Sequence, residues 1–183
     1  MSPPTAYLIF LSSIALLILL YSAVVYMRFS LFKKRMELSL REIDKNYNSL
    51  LELAAPVEKF SSEGSLQKQV PQDDEIYSKA AKFISCKSPG NTMKERRVFE
   101  KRFEEFFHCL KELNGAFPHT EKDGNLTKIK SQLQNCMESI NRVKADYNKA
   151  ARGSNKLLGA FPPFIIGQIF DFRRAELFDI KEP

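Results

Sequence analysis

The sequence predicts an all-α protein in which one N-terminal transmembrane helix continues into an antiparallel, four-helix-type bundle. Three observations carry that expectation. Residues 1–27 contain no Lys, Arg, Asp or Glu, so all 28 basic and 22 acidic side chains, and the net charge of +6, fall after Met27. Beyond that point apolar residues recur every three or four positions over long stretches, as they do in helices with one buried face. No segment shows the two-residue alternation of a half-buried strand.

The first element is Tyr7 to Met27, YLIFLSSIALLILLYSAVVYM, with 21 uncharged and mostly apolar residues. As a helix it extends about 31 Å, close to the hydrocarbon thickness of a bilayer. A buried core helix of this kind would need a larger protein around it. A cleaved signal peptide would need basic residues ahead of the run and small residues at its end. Here MSPPTA has no basic residue, and the run ends in Tyr-Met-Arg-Phe. The expected division is therefore residues 1–27 as an extracytoplasmic N-terminus and span (7–27), and residues 28–183 as the bundle with an apolar C-terminal tail, 162–178.

Charge sets the expected orientation. No Lys or Arg precedes the span, whereas Arg28, Lys33, Lys34, Arg35 and Arg41 follow it, opposed only by Glu37, for a net +4. Basic flanks stay on the cytoplasmic side, so the reading is a single-pass protein of the cell membrane, N-terminus out and bundle in the cytoplasm. Anionic lipid head groups suit this cluster, at roughly 1 kcal/mol per basic residue near the surface. Elsewhere basic and acidic residues are interspersed, so membrane lipids are expected partners and nucleic acid is not. The three cysteines, Cys86, Cys109 and Cys136, are odd in number and widely spaced, which suits a reducing compartment.

After the span, Phe29, Phe32, Met36, Leu40, Ile43, Tyr47, Leu50, Ala54 and Val57 follow one another at a mean spacing of 3.5, that of a coiled-coil seam. The first helix should run unbroken to about Phe60, with Pro56 disturbing its last turns. SSEGS and VPQDD mark a loop, and a short helix is expected from about Asp74 to Cys86. Thr92 with Glu95 forms a capping box opening the next helix. Its apolar face is Phe99, Phe103, Phe106, Leu110 and Leu113, and Gly115 suits the position just past its end. The last helix should run from Leu126 to Phe161, with Leu126, Ile129, Leu133, Cys136, Ile140, Val143, Tyr147, Ala150, Ser154, Leu157 and Phe161 on its seam. Phe161-Pro162-Pro163 must stop it, because proline cannot continue a helix and restricts the residue before it.

The segment 144–162 resembles the LemA family. That family's Arg-x-x-Tyr-Asn-x-x-Val-x-x-Tyr-Asn-x-x-Ile-x-x-Phe-Pro pattern is met here by Lys144, Tyr147, Asn148, Ala151, Ser154, Asn155, Leu158, Phe161 and Pro162. Lys144, Ala151 and Ser154 replace the family's Arg, Val and second Tyr. FDFRRAELF (Phe170 to Phe178) is similar to the family's Phe-Gly-Phe and Tyr-Phe ending, and Phe117-Pro118 stands where the family has Tyr-Pro. Ile43-Asp44 and Glu52-Leu53 match its Ile-Asp and Asp-Leu. Asn48, Ser49 and Leu50 replace basic residues between those pairs, and Pro56 lies one place later than the family's proline. Residues 61–105 match poorly. The resemblance implies a single N-terminal membrane helix and a cytoplasmic helical bundle. It implies no activity, since the family has no agreed biochemical role.

Chemistry is sparse. His108 and Cys109 are adjacent on a helix and point about 100° apart, so they do not converge on a metal. His119 has no partner at metal-ligand spacing. Cys109 and Cys136 read as small buried hydrophobes. There is no phosphate-binding glycine loop, nucleophile context or paired acid–base motif. No metal, cofactor or catalytic residue is expected, and the chain reads as a non-enzyme.

What remains is a polar stripe: Thr127, Gln134, Asn141, Asn148 and Asn155, seven apart and each one residue after a seam position. Seven residues are two helical turns. The simplest reading is a solvated flank. The sharper one is a ladder of amides at a helix–helix contact that fixes packing register, so that replacing both Asn148 and Asn155 with Leu would leave the bundle as stable or more stable but less uniquely packed. Asn141, Tyr147, Asn148, Asn155, Phe161 and Pro162 are accordingly the candidate interface residues. Adding the expected helix lengths up and down returns Phe161 to within about 10 Å of the membrane surface. The tail could then close the core, or set Phe164, Ile165, Ile169, Arg173 and Arg174 against the bilayer beside Arg28, Lys33, Lys34 and Arg35. The expected function is a membrane-anchored scaffold or adaptor presenting surfaces to protein partners, a second copy of the chain among them. The alternative is an accessory subunit of a membrane enzyme or protease complex.

Overall fold

A computed structural model describes the backbone of residues 3–62, 78, 81–86, 89–90, 92–116 and 123–179, and the side chains of 7–56, 78, 81–86, 89–90, 92–111 and 127–179. The elements are α1 (Pro3–Ser62), α2 (Met93–Ala116), α3 (Asp123–Leu158) and α4 (Pro163–Ile169). Residues 81–84 are also helical, and among the described residues there are no strands. Ser61 and Ser62, where the expected loop begins, still belong to α1, and residues 63–73, Phe117-Pro118 and His119 lie outside the described residues.

The 60-residue α1 carries the charge-free segment and the first part of the bundle in one helix, with Pro56 inside it. Among the described residues it is the one helix long and apolar enough to cross a membrane, with mean hydropathy 2.6 over its most apolar stretch, of which 6 % is buried. Two compact units divide the chain: Met1–Ser39 with Ala145–Pro183, and Leu40–Lys144. The division falls inside α1 and inside α3.

In the unit Leu40–Lys144 the core is largely aromatic. Phe83, from the short helical turn, stacks on Phe106 at 5.4 Å between ring centroids and tilts against Phe99 at 5.2 Å. Tyr47 of α1 tilts against Phe99 at 4.9 Å. Ile43, Leu50, Leu133 and Ile140 of the same unit are fully buried, each side chain of this size contributing about 1.5–3 kcal/mol. The capping box forms as the sequence requires. Thr92 N–H donates to Glu95 Oε2 at 3.2 Å, Glu95 N–H donates to Thr92 Oγ1 at 3.3 Å, and α2 opens at Met93. The Thr92 hydroxyl also donates to Glu95 Oε2 at 2.7 Å, and this bond first, with that from the Thr92 N–H, holds the Glu95 carboxyl below its ordinary range. At the other end α2 runs through Gly115 to Ala116 rather than stopping before the glycine, a difference of the size that fraying helix ends produce.

In the other unit, Val25 and Phe29 of α1 pack with Leu158 of α3 and Ile166 of α4, and Leu157 and Phe172 complete the cluster. Phe29 stacks on Phe172 at 4.8 Å with the rings 15° apart. Small residues let the elements approach. A Cβ at Gly153 would lie 2.7 Å from the Phe32 ring, and one at Gly167 would lie 2.5 Å from Leu158 Cδ2.

The last long helix stops at Leu158, three residues before the sequence reading placed its end. Gly159 N–H bonds back to the carbonyls of Asn155 and Lys156, and Pro162, which has no N–H, cannot extend the helix. Phe161 therefore leaves the seam. It lies in a turn, 81 % exposed. The Phe161–Pro162 peptide is cis, and α4 begins at Pro163. Asp171, at φ 50°, turns the chain out of α4, and residues 172–179 follow without helix.

Candidate functional site

The polar stripe of α3 divides into two parts. Thr127 and Gln134 are exposed and Asn141 is half-buried, as a solvated flank would be. Asn148 is 2 % exposed. A flank reading fails for it because its amide is engaged at both ends. Its Nδ2 donates to the carbonyl of Phe178 at 2.8 Å, and its Oδ1 accepts the N–H of Phe178 at 2.8 Å. Asn155, two turns on, repeats the pattern. Its Nδ2 donates to the carbonyl of Ala175 at 2.9 Å, and its Oδ1 accepts the N–H of Ala175 at 2.9 Å.

The amides are thus at an interface, but the partner is the backbone of the C-terminal tail, not a neighbouring helix. The spacing explains the match. Seven helical residues advance about 10.5 Å, and three extended residues advance about 10 Å. Residues 148 and 155 on the helix therefore meet residues 178 and 175 on a tail running the opposite way. Each asparagine satisfies both polar groups of one tail residue, as a neighbouring strand would. Tyr147 is buried with its ring edge-on to Phe178 at 5.1 Å, which anchors the same point of the tail apolarly. Asn141 forms no such bond with a described residue.

Because the partners are backbone groups, no substitution short of proline in the tail removes them. Replacing both asparagines with leucine would strand an N–H and a carbonyl at Phe178 and another pair at Ala175, each buried one costing about 1–3 kcal/mol. This reverses the expectation that the double leucine variant would be at least as stable.

A second polar cluster lies in the unit Leu40–Lys144. Lys144 Nζ lies 2.5 Å from Glu100 Oε1, with the lysine side chain 3 % exposed. The Tyr47 hydroxyl donates to the same carboxylate. Arg96 meets Asp44 with both guanidinium nitrogens, Nη1 2.5 Å from Oδ1 and Nη2 3.1 Å from Oδ2. Burial, reinforced by the Glu100 carboxylate, pushes the Tyr47 phenol far above its ordinary range. Two cations and two carboxylates from α1, α2 and α3 thus balance one another. Sequence reasoning missed this cluster. The available signal was that Asp44, Glu100 and Lys144, like the two asparagines, each directly follow a seam residue.

The remaining candidates are dispersed. His108 is exposed and Cys109 buried on α2, and Cys136 is half-buried with its thiol 3.4 Å from the Asn46 carbonyl. Burial pushes the Cys136 thiol up. Among the described residues no three His, Cys, Asp or Glu side chains converge on a metal position. Arg28, Lys33, Lys34, Arg35, Pro162, Phe164, Ile165, Ile169 and Arg174 are exposed. Arg173 is exposed too, but its guanidinium is held by Asp171 at 3.2 Å.

Fold and site together define a helical-bundle protein with one potential membrane helix and an extended tail pinned along its last long helix. A family model described as the LemA family matches residues 62–183. The chain belongs to the LemA family. The match takes in the stretch 61–105, where resemblance was expected to be poor, from residue 62 onward, and it leaves out Ile43-Asp44 and Glu52-Leu53. No curated protein and no solved structure matches the chain.

Proposed function

We propose that this protein is a membrane-anchored, non-catalytic scaffold: α1 crosses the cell membrane once with the N-terminus outside, and the bundle presents interaction surfaces in the cytoplasm. The observation that carries the reading is the engagement of three buried polar side chains. Asn148 is bonded to the tail, and Arg96 and Lys144 to carboxylates on other helices. Polar chemistry in this fold holds elements together, as in a scaffold, and the charge asymmetry around residues 7–27 supports the orientation.

The test is crosslinking of the full chain in native membranes, with partners identified after detergent extraction, for the natural sequence and for His108→Ala, Cys86→Ser and Cys136→Ser. A scaffold keeps the same partner set in all of them. Loss of function in one of these variants, folded and membrane-inserted, would contradict the non-catalytic reading. One enzyme or protease complex dominating the partners would favour an accessory subunit. Digestion of the bundle by protease added outside sealed cells would contradict the orientation.

A further inference from the structure

Phe161, Phe164, Ile165, Ile169 and Phe170 form an apolar surface, with Ile169 70 % exposed. Residues 161–170 hold no charged side chain. This surface is joined to α1 at one level. Phe170 lies 4.7 Å from Tyr26, and Phe172 stacks on Phe29 at 4.8 Å. At that stack both segments change character together. On α1 the charge-free run ends at Met27 and Arg28 follows; on the tail the apolar run ends at Phe170, and Asp171, Arg173 and Arg174 follow.

We propose that the turn at Phe161 and α4 insert into the bilayer interface beside the end of the span, so that the chain meets the membrane twice. Tyr26 and Phe170 then sit at the depth where aromatic side chains concentrate, and the exposed face of α4 reaches about 5–10 Å into the boundary between head groups and acyl chains. A lipid surface fits better than a second copy of the chain, because the patch meets α1 at Tyr26, at the end of the exposed apolar run that would cross the membrane. The inference rests on reading α1 as a membrane span, and its test separates the two.

The sequence contains no tryptophan, so one introduced residue reports its own depth. Ile169→Trp, Phe164→Trp and Leu17→Trp are each made in the full chain and reconstituted into vesicles carrying lipids brominated at different acyl positions. Leu17→Trp should be quenched most by bromines near the bilayer centre. Ile169→Trp and Phe164→Trp should be quenched several-fold more by bromines near the head groups than by deep ones, and be shielded from aqueous iodide. Quenching at position 17 with iodide access and no lipid quenching at 169 and 164 overturns the proposal and leaves the anchor standing. Shielding of 169 and 164 from both lipid and iodide also overturns it, in favour of a second protein copy. Absence of lipid quenching at position 17 overturns the anchor and the inference with it.

Discussion

The two units bury polar groups by different means. In Leu40–Lys144 the buried groups are charged and meet other side chains: Lys144 with Glu100, Arg96 with Asp44. In the unit containing Ala145–Pro183 two neutral amides, Asn148 buried and Asn155 half-buried, meet backbone. Charged pairs are costly to desolvate, and breaking one leaves an uncompensated ion. Amide-to-backbone pairs cost less to bury and recognise an extended chain whatever its side chains. The comparison teaches that one helix, α3, can hold a folded neighbour with charge at Lys144 and, from Asn148 onward, a strap with amides.

The largest effect should come from breaking the charged side. Glu100→Ala takes the Glu100 carboxylate away from the buried Lys144 ammonium and should lower stability by about 3–5 kcal/mol, read as a shift of the denaturant midpoint. Adding Lys144→Met should recover most of that loss. If the double variant is no better than the single one, the pair is not what the first substitution breaks.

Next comes the amide side. Asn148→Asp keeps an acceptor for the Phe178 N–H but sets a carboxylate oxygen against the Phe178 carbonyl, at a cost of about 3 kcal/mol at pH 7. Burial raises the pKa of such a carboxyl, and the protonated form regains a donor. The deficit relative to the natural chain should therefore shrink as pH falls. A deficit that is flat with pH would mean that the donor to Phe178 does not matter. Asn155→Asp, at a half-buried site, should show the same sign with a smaller amplitude.

The smallest effect sharpens the contrast through pH. The Tyr47 phenol is raised by burial and then by Glu100, so the folded chain holds this proton more tightly than the unfolded one. Its contribution is complete below the unfolded value of about 10 and is lost as pH rises beyond it. Tyr47→Phe should cost about 1 kcal/mol at pH 7 through the lost hydrogen bond, and its stability should fall less steeply above pH 10. The asparagine bonds have no titrating group and should add no slope of their own.

Much of the architecture was readable because it is local. A three-to-four residue period marks α1, α2 and α3, and Thr92 with Glu95 marks the start of α2 within four residues. The site was only half readable. The two-turn spacing of Asn148 and Asn155 stood out, but the tail they hold is extended, has no helical period, and is matched by length rather than by pattern. Burial of the stripe also changes along α3, from the exposed Gln134 to the buried Asn148, and no local rule marks that change. The Glu100–Lys144 pair joins residues far apart in sequence, so neither member signals the other. Phe161 was misplaced on the seam because its spacing continues the period after the helix itself has ended.

The central claim, that two amides two turns apart hold an extended tail, is tested most directly by amide hydrogen exchange, residue by residue, across 172–179 in the full chain. The account predicts protection at Ala175 and Phe178, whose N–H groups donate to Asn155 and Asn148. It predicts fast exchange at Glu176 and Leu177 between them, and loss of the protection at Phe178 in Asn148→Leu, which removes the acceptor of that N–H. Uniformly fast exchange along the tail, or protection untouched by that substitution, would contradict it.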